Sequence, residues 1–200
     1  MARRLTAADH AYLAAGAVLY VALVSPPVLR LLESRMTTHM TMLLPGLALA
    51  GYLCGVPLRT LVAPVSRKWN AGGISGLIAA LFTAAFWMLP RALDESLRYP
   101  SMEIGKLISI PLLAGVLLAI SWPALGPICR GVLKVQTISM LAVLGWLYSV
   151  APVRLCTSYL QSDQEQLGGA LCVLAGALAL AWALPWMFGS NNAAVEASRP

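Results

Sequence analysis

Charge is what this chain has least of. Only 11% of its 200 residues are Asp, Glu, Lys or Arg, against about 25% in a soluble globular domain, and that scarcity argues against a water-soluble fold. Acids are rarer than bases, 8 against 14. The bases form no long run and have no charged face to sit on, so the net charge of +6 reads as membrane topology and not as a nucleic-acid surface. Histidine is almost missing. With His10 and His39 alone, the chain cannot build a His-rich metal centre or several bis-histidine haem sites, which argues against the catalytic core of a respiratory oxidase. Its four cysteines make no disulfide framework. A Cys156–Cys172 bond is geometrically open, and the competing reading makes each cysteine a small hydrophobe in an apolar helix. There is no visible nucleophile–base pair or buried carboxylate pair, so no enzymatic activity is expected. The chain also has no long low-complexity segment and no convincing internal repeat.

What remains is apolar length. Stretches free of Asp, Glu, Lys and Arg run over 11–29, 36–58, 69–90, 107–129, 135–153 and 166–195. Each reaches the roughly 20 residues that one helix needs to cross the hydrocarbon of a bilayer. They are too long and too uniformly apolar for alternating barrel strands, so their backbones must satisfy themselves as helices. The expected fold is an all-α integral membrane protein, a six-transmembrane-helix bundle, with helices near 9–29, 38–58, 72–90, 106–125, 135–153 and 167–188. One bundle domain, 1–189, is expected to end in a short polar cytoplasmic tail, 190–200. Met1-Ala-Arg-Arg ahead of an apolar run has the look of a secretory signal. The run continues to Leu29 without a clear small-x-small cleavage site, so the first helix is expected to be retained.

Orientation follows from where Lys and Arg fall. Arg3, Arg4, Arg59, Arg67, Lys68, Arg130, Lys134 and Arg199 lie on the side of both termini, opposed only by Asp9 and Glu196. The other side has Arg30, Arg35, Arg91, Arg98, Lys106 and Arg154 against Glu33, Asp94, Glu95, Glu103, Asp163 and Glu165. Both termini are therefore expected to be cytoplasmic, with loops 30–37, 91–105 and 154–166 facing outward. Trp69, Trp87, Trp122 and Trp186 fall near helix ends, where indoles favour the headgroup zone. No Asp, Glu, Lys or Arg lies deep in any expected span, so a transporter's ion relay would have little to work with.

The outward face holds what chemistry there is. On a helix Met36, His39 and Met40 share one face at i, i+3 and i+4, with Met42 one turn above His39. Thioether and imidazole together suit Cu(I). The plainer alternative is that the methionines fill gaps between helices while His39 bonds a neighbour or water. Phe86-Trp87-Met88-Leu89-Pro90 ends the third helix and puts Met88 at the outer boundary, with Trp87 as a belt residue and Pro90 as a stop. Met36, His39, Met40 and Met88 are thus the candidate metal ligands. The loop from Arg91 to Glu103 is amphipathic and is expected to lie along the membrane surface. Its acids are expected to be solvated or paired with Arg91 and Arg98, the alternative being a cation entrance. The sixth helix is expected to be capped by Ser162 or Asp163, and Gly168 with Gly169 allows a neighbouring backbone to come close.

The order of these segments also carries a resemblance. Met36-Thr-Thr-His39-Met40-Thr-Met42, then Phe86-Trp87-Met88-Leu89-Pro90, then Leu113-Ala-Gly115 through Ser121-Trp122-Pro123 to Gly126-Pro127, then Gln164-Glu-Gln166-Leu167-Gly168-Gly169 resembles the membrane-spanning CtaG-type cytochrome c oxidase assembly factors from about residue 30 to 185. The resemblance implies a multi-pass protein of the bacterial inner membrane, one that supplies copper from the outer side during biogenesis of a haem–copper oxidase. Three histidines of the family pattern are missing: Arg35 stands in the His-Met-x-x-His-Met motif, Met88 in Trp-His-x-Pro, and the Glu-His pair before the fourth helix is here Glu103-Ile-Gly-Lys106. Two functions are therefore expected in competition: transient Cu(I) handling at Met36, His39, Met40 and Met88, or a non-metal accessory or scaffold subunit of a larger membrane complex. The expected partners are the lipid bilayer and a haem–copper oxidase or another membrane complex, with no nucleic acid.

Overall fold

The computed structural model describes residues 6–188. The polar tail expected over 190–200 lies outside the described residues, as do Arg3, Arg4, Glu196 and Arg199. Thr6 opens the first helix with a capping box: its hydroxyl accepts from the Asp9 backbone N–H, and the Asp9 carboxylate accepts from the Thr6 N–H at 2.8 Å. The helix, α1 (Ala7–Val24), stops at Ser25, short of the expected boundary at 29. Pro26 has no N–H to continue the ladder and instead starts a separate short helix, α2 (Pro26–Glu33).

Three segments make up α3: one α-turn, Met36–Thr38, then a π-helical stretch, His39–Leu43, then Leu44–Trp69. It runs through Pro57 and Pro64, past the end expected at 58, so Arg59 is a helix residue and not a loop residue. A 3-10 turn, Ala71–Gly73, reverses the chain into α4 (Ile74–Trp87). The expected surface segment forms α5 (Pro90–Arg98), bent 71° from α4. Beyond Tyr99, α6 runs from Pro100–Ser109 through a second π-helical stretch, Ile110–Val116, to Leu117–Ser121. It therefore starts before the expected residue 106, and Lys106 stands in its second turn. Gly126 and Pro127 open α7 (Pro127–Val150) earlier than 135, because proline is pre-set for a first helical turn. The last helix, α8 (Gln161–Phe188), begins ahead of Ser162 and Asp163. Those two residues occupy its first turn rather than the cap.

Among the described residues all regular structure is helical. Five runs are long and apolar enough to cross a membrane: Ala7–Val24, Met36–Pro64, Pro100–Ala124, Pro127–Val150 and Gln161–Leu184. The bent pair Ala71–Trp87 and Pro90–Arg98 makes a sixth if counted as one. Large apolar side chains point outward on several of them, among them Val18, Phe82 and Val173, which is compatible with a multi-pass membrane protein.

Close helix crossings position the core. A Cβ on Gly51 would stand 2.0 Å from the Pro111 carbonyl oxygen, so α3 and α6 touch backbone to backbone. A Cβ on Gly168 would stand 2.3 Å from Ser149 Oγ, and one on Gly145 would stand 2.7 Å from Cys172 Sγ, so α7 and α8 do the same. Gly169 has open space around it; only the first glycine of the pair serves the contact.

Candidate functional site

Arg35 is extended, and α3 begins directly after it at Met36. From there Met36, His39, Met40, Leu43, Leu47 and Ala50 form one fully buried stripe, as apolar spacing on a core-facing helix requires. Met36 and Met40 belong to a single apolar core with Trp87, Leu93, Ile110 and Tyr148, and Met88 packs against that core. Met42 does not follow: it is 59% exposed, because the π-helical stretch winds more widely than an α-helix and carries it off the His39 face. Met88 caps α4 and lines an apolar cavity of about 190 Å³ with Leu44, Ala48 and Trp87. Its carbonyl oxygen accepts from the Tyr148 hydroxyl at 3.5 Å.

The centre of this end is polar, and Lys106 holds it. Its side chain is 0% exposed, although sequence reading placed it at the mouth of a span. An ammonium carries three N–H donors, and here each has an acceptor: a Glu33 carboxylate oxygen in a close ion pair, His39 Nε2 at 3.1 Å, and Ser96 Oγ at 3.5 Å. Ser96 spends its own proton on the Leu93 carbonyl at 2.8 Å, which leaves its oxygen to accept. Tyr159 closes the other side. Its hydroxyl donates to the Glu33 carbonyl oxygen at 2.8 Å, so its contact with His39 Nδ1, also 2.8 Å, must be one in which the ring N–H donates. Burial and then the neighbouring acids, Glu33 first among them, push the Tyr159 pKa above the ordinary tyrosine value, so the hydroxyl keeps the proton it donates.

That chain of donors determines the imidazole. Nδ1 carries the hydrogen, Nε2 presents its lone pair to the ammonium, and the ring is neutral. Both ring nitrogens therefore have protein partners.

Around this centre the loop between α7 and α8 is pinned by side chains from elsewhere. Asp94 is buried and accepts from Thr157 N–H at 2.6 Å, Thr157 Oγ1 at 2.8 Å and Ser158 N–H at 3.0 Å. It is thus neither solvated nor paired with Arg91 or Arg98, as loop composition had suggested. Arg98 instead donates to Thr157 Oγ1, and Arg91 pairs with Glu95 one turn along, at 3.7 Å on the exposed face. Gln164 is buried; its side-chain oxygen accepts from Leu155 N–H at 2.8 Å. Cys156 and Cys172 are both free. Burial, and next the nearby Asp94 charge, push the Cys156 thiol up to about 12, which keeps it protonated and unreactive. Trp87, expected at the headgroups, is buried instead and donates from Nε1 to Ser109 Oγ at 2.8 Å. A neighbouring hydroxyl satisfies the indole as an interface would.

Among the described residues no group of three or more His, Cys, Asp and Glu side chains is placed to hold a metal ion. Sequence reasoning singled out Met36, His39, Met40 and Met88 as metal ligands and did not point to Tyr159, Ser96 or the pairing of Lys106 with Glu33. Comparison with family models, with curated proteins and with solved structures finds no match for this chain.

Proposed function

We propose that the chain is a non-metal scaffold of the bacterial inner membrane that serves the assembly of a haem–copper oxidase, with both termini cytoplasmic and the His39 centre facing outward. The resemblance to CtaG-type assembly factors supplies the process. The Lys106 ammonium supports the rest: it ends the segment Glu103-Ile-Gly-Lys106, in which that family's histidine is missing, is enclosed by Glu33, His39 and Ser96, and donates to His39 Nε2 at 3.1 Å. A Cu(I) ion on Nε2 would need the lone pair that Lys106 uses and would meet a cation a few ångströms away. The donor set as arranged does not fit copper. An internal ion pair instead ties α2 to α6, and His39 and Tyr159 extend the tie to α3 and the loop ahead of α8.

A second reading, transient Cu(I) handling at Met36, His39, Met40 and Met88, keeps one observation in its favour. Both Met36 and Met40 are fully buried on the His39 face, and Met88 packs against the same core. Deleting the chain separates the two. As a scaffold, its loss lowers the amount of assembled oxidase while the remainder holds its normal copper. As a copper carrier, its loss leaves oxidase polypeptides assembled but copper-poor, and the Met36→Leu, Met40→Leu double variant does the same. An unchanged oxidase in amount and copper would contradict both.

A further inference from the structure

At the opposite end of the bundle, where α3 turns into α4 and α6 meets α7, Arg59 and Arg130 have no carboxylate partner among the described residues. A cavity of about 520 Å³ lies there, lined by Arg59, Ser66, Asn70, Gly72, Pro123 and Ala124, a size in the range of small-molecule sites. Of the Arg59 donors, one on Nη2 reaches the Tyr52 hydroxyl at 3.4 Å, while Nε is buried with no hydrogen-bond partner. Leaving a buried donor unmet is costly. Among the described residues no carboxylate lies within salt-bridge reach of Arg59 or of Arg130, whose Nε is likewise buried without a partner. Residues 59–93 and 104–162 contain no Asp or Glu at all. Among the described residues nothing supplies the anion that such a guanidinium calls for.

The surroundings narrow its chemistry. A second cavity of about 300 Å³, bordered by Val62, Trp69 and Leu117, shares Ser66, Asn70 and Ile120 with the first. A polar hollow and an apolar one thus lie side by side, which suits an amphiphile better than a free ion. Arg59 stands within two turns of Pro64, where the membrane-length run of α3 ends, the level at which a bilayer keeps its phosphates. Trp69, at the mouth of the apolar hollow, is 76% exposed, as an indole at the headgroups is. Among the described residues no carboxylate pairs with Arg59, and that uncompensated charge selects a headgroup of net negative charge. We infer that this paired hollow is a binding site for one anionic phospholipid, its phosphate on Arg59 and one acyl chain along Val62 and Leu117. The site is independent of the His39 centre.

Native mass spectrometry of the whole chain in a nonionic detergent tests it, with phosphatidylglycerol, phosphatidylcholine and inorganic phosphate as probes. Phosphatidylglycerol should be retained at concentrations about tenfold below those needed for phosphatidylcholine, the scale of one charge-assisted contact, and inorganic phosphate should not displace it. Arg59→Gln should abolish that preference. Ala63→Phe, which keeps the guanidinium but fills the cavity that Ala63 lines, should abolish retention, and it decides the matter if Arg59→Gln does not fold. Equal retention of the two lipids by the native chain, unchanged retention after either substitution, or displacement by phosphate would overturn the inference.

Discussion

At the end of the bundle that carries Glu33, His39 and Lys106, every hydrogen-bonding group of the polar centre meets another from the same chain. At the end that carries Arg59 and Arg130, two guanidinium Nε atoms are buried and meet nothing among the described residues. The two ends differ because of where the few acids fall. Glu33 lies within reach of Lys106 and Asp94 within reach of the loop ahead of α8, whereas no carboxylate among the described residues lies within salt-bridge reach of Arg59. A buried charge paired inside the protein holds helices together, and a half-buried guanidinium whose Nε is buried without a hydrogen-bond partner invites a ligand. The first end should therefore carry stability and the second should carry binding.

Glu33→Gln should have the largest effect of any substitution considered, because it strands a fully enclosed ammonium. A loss of about 3–5 kcal/mol is expected, read as a fall in the unfolding midpoint in detergent. Adding Lys106→Met to it should recover most of that loss, since an apolar side chain of similar length needs no counterion. Gly168→Val should come next, at about 1–3 kcal/mol or more, because its side chain would collide with Ser149 at the α7–α8 crossing. Gly169→Val, facing open space, supplies the matched control with little change in the midpoint beyond the modest helix-propensity difference. Tyr159→Phe removes the hydroxyl between the His39 ring and the Glu33 carbonyl, leaving both unpaired, and should cost about 1–3 kcal/mol. Arg59→Gln should be the mildest, within about 1 kcal/mol, because it removes one long hydrogen bond and a 5.8 Å cation–π contact with Tyr52. Were Arg59→Gln to destabilise the chain as much as Glu33→Gln, the contrast between the ends would not hold.

Sequence patterning reached most of the helices and less of the centre. Charge-free runs located the apolar helices, and the i, i+3, i+4 spacing put Met36, His39 and Met40 on one face, whereas the starts that Pro26, Pro90 and Pro127 give to α2, α5 and α7 were not anticipated. Boundaries were missed where packing overrode local signals. Pro57 and Pro64 do not end α3, and α6 reaches back to Pro100, which draws Lys106 from the rim into the interior. Met42 escaped because no residue pattern announced the π-helical stretch at His39–Leu43. The centre itself was illegible for a simpler reason. Glu33 and Lys106 are 73 residues apart, and His39 and Tyr159 are 120 apart; only the tertiary fold makes them neighbours. Periodicity could show that His39 faces the core, but not what waits there to bond its two nitrogens.

The claim on which this account turns is that the His39 centre is closed by Lys106 and not by a metal. The unfolding midpoint of the purified whole chain, measured anaerobically with excess Cu(I) and again with a Cu(I) chelator, tests it directly. A ligand of the native state stabilises it by about 2.7 kcal/mol at a hundred times its Kd. The two midpoints should coincide for the native chain. A midpoint raised by Cu(I), and no longer raised after Met36→Leu with Met40→Leu, would contradict the account and return His39 to a copper site.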